Sequence, residues 1–264
     1  MSLDVREVKV KRALSPSGIY SVDFSLNPYV GCQHACTYCY VPYLYPRLLR
    51  GRLWGHFVDV KINLPRLLKH EVRRVSQPAT VLISSITDPY QPIEAKYRLT
   101  RLSLEALIDG GLYAVLLTKS PLLRRDLDLL GRLKRCEVGV TITTLNRHRE
   151  LEPKAPSPYE RLGAIEEAGE LGLTTYVFLG PLMPGVAELE LKELIKEIKQ
   201  RRCKRVVVDK FRAHDTRLVD KVAAALGEGA DFKRRALSAR YYEELRLHLI
   251  KLCKDEGVDV DFCF

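Results

Sequence analysis

The feature that most limits the fold is an alternation of strand-like and helix-like segments from residue 80 onward. Short runs rich in β-branched and other apolar residues are each followed by a helical pattern. The runs are TVLIS (80–84), YAVLLT (113–118), EVGVTITTL (137–145), TTYVFLG (174–180) and RVVVDKF (205–211). With a first strand at about 20–26 they predict six βα units, and such repeats form a parallel sheet covered by helices.

The number of repeats predicts an incomplete barrel. A closed eight-unit barrel usually needs about 250 residues of regular repeats, whereas residues 40–64 form an irregular insertion. We therefore expect an α/β fold, a partial (β/α)6 TIM-type barrel with parallel strands, as a single domain over residues 1–264. Its core should span about 20–212, with a helical C-terminal region at about 213–264. Ser157 followed by Pro158 predicts the start of one of the helices.

Three cysteines lie within eight residues after the predicted first strand. Cys32, Cys36 and Cys39 form the pattern C-x3-C-x2-C, which suits zinc or an iron–sulfur cluster. Structural zinc normally takes four protein ligands, and the only nearby fourth candidate is His34, which we expect to face solvent or cap the loop. A [4Fe-4S] cluster on three cysteines leaves one iron open to another ligand. At this point a cluster, zinc and a disulfide all stay open.

The segment NPYVGCQHACTYCY (27–40), with Tyr38 before the last cysteine, resembles the radical SAM superfamily. Further segments resemble its spore photoproduct lyase-like branch: FVDVKINLPRLLKHEV, SSITDPYQPIE, LLTKS, VGVTITTL and LEPKAPSPYERL. The resemblance covers nearly all of residues 25–185 and implies the same partial barrel. It also implies an enzyme with a [4Fe-4S] cluster on the three cysteines, bound S-adenosylmethionine (SAM), and an external electron donor such as ferredoxin or flavodoxin.

The resemblance further implies candidate SAM contacts at the strand ends. The predicted contacts are Tyr38, Ser84, Ser85, Thr87, Asp88, Lys119, Thr141, Thr143, Arg161 and Met183. Lys119 and Arg161 are expected at the SAM carboxylate, with a solvated lysine and a surface ion pair as the alternatives. An Asp-Pro turn capped by its own side chain is the alternative for Asp88. No residue is assigned a catalytic role.

The chain carries a formal net charge of +10, which favours polyanionic partners such as nucleic acid. The stretch YVPYLYPRLLRGRLWGHF (40–57) either grips nucleic acid through Arg47, Arg50 and Arg52, or shields a buried site. The scarcity of Asn and Gln suggests a thermophilic source. Because there is no signal-peptide pattern and no apolar run of membrane length, we expect a cytoplasmic protein without a membrane partner.

The substrate is less constrained than the cofactor. Spore photoproduct lyases place a hydrogen-donating cysteine where this chain has Ser85 or Ile86, so we expect SAM cleavage without efficient spore photoproduct repair. The other cysteines are Cys136, Cys203, Cys253 and Cys263, and none has a predicted role. We expect a nucleic-acid substrate. The rivals are a radical SAM enzyme acting on a protein or small metabolite, and a zinc-bound nucleic-acid module without catalysis.

Overall fold

The computed structural model describes residues 2–264, and its main feature is an eight-stranded sheet. The strands are β1 (Asp4–Val8), β2 (Leu14–Pro16), β3 (Phe24–Leu26), β4 (Tyr29–Val30), β5 (Phe57–Lys61), β6 (Thr80–Ile83), β7 (Tyr113–Thr118), β8 (Cys136–Ile142), β9 (Thr174–Leu182), β10 (Arg205–Lys210) and β11 (Asp259–Phe262). The large sheet has the order β11-β10-β9-β8-β7-β6-β3-β2. Its strands pair in parallel except β2, which is antiparallel to β3. This topology confirms the predicted parallel partial barrel.

Helices connect the strands of the sheet. They are α1 (Val41–Leu44), α2 (Leu64–Glu71), α3 (Glu94–Tyr97), α4 (Leu99–Gly110), α5 (Leu127–Leu130), α6 (His148–Leu151), α7 (Pro158–Glu170), α8 (Ala187–Gln200), α9 (Thr216–Leu226), α10 (Ala230–Ala236) and α11 (Ala239–Glu256). Helix α8 buries Leu191, Leu194, Ile195 and Ile198, the spacing of one helical face. Helix α7 begins with a capping box on Ser157, as predicted.

The two faces of each strand meet different surroundings. On β7, Leu116 is fully buried away from a large cavity, whereas the half-buried Tyr113, Val115 and Leu117 line it. Because side chains alternate along a strand, the concave face of the sheet lines this cavity and the opposite face is buried. Polar residues that follow two of the strands at their carboxyl ends, Ser84 and Ser85 after β6 and Lys119 after β7, reach the same cavity.

The insertion after the cysteines contributes to a second sheet. Residues 57–61, inside the predicted irregular segment, form β5, which pairs in parallel with β1 and antiparallel with β4. The cysteine loop, residues 31–40, follows β4 directly. This small sheet therefore positions the start of the cysteine loop.

The C-terminal region is helical, as expected, through α9, α10 and α11. It then returns to the large sheet, where Val260 of β11 pairs with Val206 of β10. No helix within residues 2–264 combines the length and apolar character that crossing a bilayer requires.

Candidate active site

The three thiols of the cysteine loop face one cavity. Cys32 and Cys36 are buried, Cys39 is half-buried, and all three line a cavity of about 1330 Å³. Burial raises the pKa of Cys32 well above its usual value, and nearby negative charge on Asp88, Cys36 and Cys39 raises it further. A bound metal removes this penalty, because a coordinated thiol is deprotonated outright.

Two glycines allow close packing against the cysteine loop. Gly31 has φ +91°, and a Cβ there would lie 2.3 Å from the Phe57 carbonyl oxygen. Gly55 has φ +86°, and a Cβ there would lie 2.5 Å from Cβ of Ala35. Only glycine fits such positions without strain. The segment from Trp54 to Phe57 is therefore pressed against the loop at both places.

The other side of the loop is anchored to the end of α6. The Thr37 N–H donates to the Leu151 carbonyl at 2.8 Å, and the Thr37 hydroxyl donates to the Glu150 carbonyl at 2.8 Å. The Tyr38 hydroxyl donates to the Glu152 carboxylate. Residues 37 and 38, between the second and third cysteines, are thus held by three hydrogen bonds.

Arg161 corrects one of the sequence predictions. It is fully buried, does not line the cavity, and lies 2.5 Å from the Glu152 carboxylate. Its guanidinium also donates to the carbonyls of Thr141 at 3.0 Å and Pro156 at 2.6 and 2.9 Å. Arg161 therefore supports the site without lining the cavity. Its position agrees with neither the predicted SAM contact nor the alternative surface ion pair.

Thr143 and Met183 also lie outside the cavity lining. The Thr143 hydroxyl lies 2.9 Å from the Tyr38 hydroxyl and donates to the Gly180 carbonyl at 2.8 Å. Met183 is fully buried in the main core. The burial of Met183 argues against its predicted contact with the cofactor, whereas the prediction that one of Thr141 and Thr143 contacts the cofactor rests on Thr141, which lines the cavity.

The remaining predicted contacts are brought together around the cavity. Those lining it are Tyr38, Ser84, Ser85, Thr87, Asp88, Lys119 and Thr141. Asp88 accepts hydrogen bonds from the Thr118 hydroxyl at 2.7 Å and from the N–H groups of Lys119 and Tyr90, each at 2.8 Å. Burial alone would raise its pKa, but His34, the Thr118 hydroxyl and the Lys119 N–H lower the pKa of Asp88 to about 2. The Tyr90 bond makes the predicted capped turn, so Asp88 is an anionic anchor as well as a cavity residue.

Comparison with known proteins decides the family. The radical SAM superfamily profile matches residues 26–198. The chain belongs to the radical SAM superfamily. An uncharacterized protein of Methanocaldococcus jannaschii is 35% identical to it over 190 residues, 71% of each chain. The chain described here is therefore an enzyme of the radical SAM class.

Two further comparisons describe the branch. The radical SAM Nalpha-GlyT isomerase of Pseudomonas phage M6 is 27% identical over 179 residues, which is 67% of this chain and 36% of the phage protein. Spore photoproduct lyase complexed with dinucleoside spore photoproduct superposes with a TM-score of 0.74, covering 98% of this chain and 82% of that chain at 14% identity. At that identity the likeness shows a shared fold.

Buried polar atoms of this radical SAM enzyme point to an absent group. Nδ1 of His34, Nε1 of Trp54 and Oγ of Ser84 have no hydrogen-bond partner among residues 2–264, and all three residues line the cavity. Buried polar groups are almost always hydrogen-bonded, so these atoms fit a cavity that holds a polar ligand. His34 is buried, with Nε2 3.4 Å from Asp88, so the prediction that it faces solvent or caps the loop is wrong.

The three cysteines are the donors of the [4Fe-4S] cluster that membership of this family implies. Within residues 2–264, no group of three or more His, Cys, Asp or Glu side chains is already arranged to hold a metal ion. In a [4Fe-4S] cluster each cysteine binds a different iron, so the thiols need only be neighbours around the cluster. Cys32, Cys36 and Cys39 are such neighbours, since all three line the same cavity.

Sequence reasoning missed two residues of this region. Glu152 lies in LEPKAPSPYERL, one of the segments that resemble the family. The sequence therefore marked this segment as part of the site, but it did not indicate what Glu152 contacts. Cys263, which had no predicted place, lines the cavity, and its N–H donates to the Val208 carbonyl at 2.9 Å. The pairing of β11 with β10 brings it there, and no local motif signals that pairing.

Proposed function

We propose that the protein holds a [4Fe-4S] cluster on Cys32, Cys36 and Cys39, binds SAM beside it, and abstracts hydrogen from a nucleic-acid substrate. The observation that carries the proposal is the meeting of three thiols and unpartnered buried polar atoms at one cavity. Held by these three cysteines, the cluster would supply the single electron needed for reductive cleavage of SAM at its S–C5′ bond. Ferredoxin or flavodoxin is the proposed source of that electron.

In the proposed function, the residues that line the cavity bind SAM and orient it. Lys119 offers the SAM carboxylate a cation, while the hydroxyl groups of Ser84, Ser85 and Thr141 offer hydrogen bonds. The apolar surface of Leu117 and Phe178 excludes water from the same space. A pocket for one small molecule usually measures about 300–1,000 Å³, so a cavity of about 1330 Å³ has room for SAM and part of a substrate.

The nucleic-acid substrate is supported by the loop at the cavity mouth, residues 40–53, which we call the rim loop. Its inner residue Val41 packs with Cys32 and Trp54, which supports the shielding interpretation. Its outer residues Tyr40, Tyr45, Arg47 and Arg50 are exposed, which suits base stacking and phosphate contacts. The solved spore photoproduct lyase complex contains a dinucleoside ligand, which agrees with this substrate class.

Arg52 does not belong to the proposed nucleic-acid surface. Its guanidinium donates to both carboxylate oxygens of Asp59, at 2.6 and 2.7 Å, and its side chain is 11% exposed. The prediction of a phosphate contact at Arg52 is therefore wrong, because its charge is neutralised within the fold.

The cluster assignment is tested by anaerobic reconstitution with iron and sulfide. We expect about four irons per chain, and changing Cys32, Cys36 or Cys39 to Ala should abolish iron binding and SAM cleavage. The matched controls Cys136→Ala, Cys203→Ala and Cys253→Ala should keep both. A full cluster in Cys36→Ala contradicts the proposal, and one zinc with no iron in the wild type favours the zinc-bound module.

A further inference from the structure

Trp54, the single tryptophan of the chain, lies against the cysteine loop. Its indole packs with Cys32, Val41 and Phe57, and Cys39 contacts the same group. The ring is 8% exposed and meets the Phe57 ring edge-on, with centroids 6.2 Å apart. The indole is thus part of the wall between the cysteines and the rim loop.

The indole N–H of Trp54 has no acceptor among residues 2–264 within hydrogen-bonding distance. Trp54 nevertheless lines the same cavity as Cys32 and Cys39, and it packs in the group that Cys39 contacts. A buried N–H without a partner normally costs about 1–3 kcal/mol. The unpartnered N–H of Trp54 therefore indicates that an acceptor is present in the cavity when its ligands are bound.

The backbone holds the indole in this position. The next residue, Gly55, is packed so closely that a Cβ would lie 2.5 Å from Cβ of Ala35 within the cysteine loop. The Gly55 carbonyl also accepts a hydrogen bond from Nζ of Lys154 at 3.1 Å. Trp54 and the cysteine loop are therefore fixed relative to each other.

We propose that the Trp54 N–H donates a hydrogen bond to a cysteine sulfur of the loop, Cys32 or Cys39, when the cluster is bound, and that this bond raises the reduction potential of the cluster. The inference rests on the proposed cluster. Hydrogen bonds to cysteine sulfur are one of the factors that set cluster potentials. One-electron reduction adds negative charge around the sulfurs, so an N–H donor stabilises the reduced state more than the oxidised state.

The first test is Trp54→Phe, which removes the donor and keeps an aromatic ring. Redox titration followed by electron paramagnetic resonance should give a more negative midpoint potential than the wild type. A tenfold fall in the ratio of reduced to oxidised cluster corresponds to about 59 mV for one electron, and we expect a shift of that order. Tyr40→Phe is the matched control, because its hydroxyl donates to the Ser85 carbonyl and not to a cysteine.

A second test avoids any loss of packing. Because Trp54 is the single tryptophan, growth on a tryptophan analogue changes this position alone. A ring-fluorinated analogue has a more acidic N–H and should raise the potential, whereas benzothienylalanine, which has sulfur in place of the N–H, should lower it. Unchanged potentials in fully loaded protein overturn the inference. Failure of the wild type to bind any cluster would instead overturn the proposed function.

Discussion

At the scale of single residues, Glu152 links the cysteine loop, through Tyr38, to the buried Arg161. Burial would raise the pKa of its carboxyl group, but Arg161, Lys119 and the Tyr38 hydroxyl outweigh burial and lower that pKa. Glu152→Gln should leave Arg161 buried without its counter-ion and lower the free energy of unfolding by about 3–5 kcal/mol. Denaturant unfolding of the cluster-free protein measures this change.

The Glu152 prediction has a matched control in the double variant Glu152→Gln/Arg161→Met. Removing both charges avoids the unpaired guanidinium, so this variant should be more stable than Glu152→Gln alone. A Glu152→Gln protein within about 0.5 kcal/mol of the wild type, the usual range for surface substitutions, would show that the buried pair does not anchor the loop.

Lys119 is the residue on which SAM affinity should depend most directly. Burial lowers its pKa, but the negative charge of Cys36, Glu152 and Asp88 outweighs burial, so its pKa is raised and the side chain stays cationic. Lys119→Ala should weaken SAM binding by about 1–3 kcal/mol, measured by anaerobic calorimetry, with the cluster retained. The control is Lys69→Ala, since Lys69 is exposed. Equal SAM affinity in the two variants would show that Lys119 does not pair with the SAM carboxylate.

At the scale of elements, the rim loop is where nucleic-acid binding should be decided. If Arg47 and Arg50 contact phosphates, changing both to Gln should reduce the slope of log K against log salt by about 0.7 per lost contact on single strands. The control pair Arg73→Gln/Arg74→Gln is equally exposed but lies beyond α2, outside the cavity lining. Equal slopes for the two double variants, or no binding at low salt, would favour a protein or small-metabolite substrate.

The sequence predicted elements whose signals are local and missed those that depend on distant partners. The β-strands β6 to β10 carry their own apolar pattern, and the three cysteines carry their own spacing. By contrast, β5 exists because β1 and β4 flank it. The direction of a side chain is equally non-local, since Arg161 turns away from the cavity to meet Glu152, and no spacing rule reveals that choice.

At the scale of the whole molecule, the protein shares the fold of spore photoproduct lyase, and the segment after β6 presents a serine to the cavity. Ser85 lines the cavity, and its hydroxyl accepts a hydrogen bond from the Asn27 amide at 3.2 Å. A serine O–H bond is far too strong to donate hydrogen to a carbon radical. Besides the three cysteines of the loop, Cys263 also lines the cavity, and it comes from the other end of the chain.

We therefore expect reconstituted enzyme, given SAM, dithionite and dinucleoside spore photoproduct, to form 5′-deoxyadenosine without efficient repair to the thymidine dinucleotide. Chromatography of both products checks this expectation, and Cys263→Ala serves as the comparison. Multiple-turnover repair by the wild type would contradict the prediction. Its loss in Cys263→Ala would then identify the hydrogen donor as the thiol that β11 brings to the cavity, because Ser85 is unchanged in that variant.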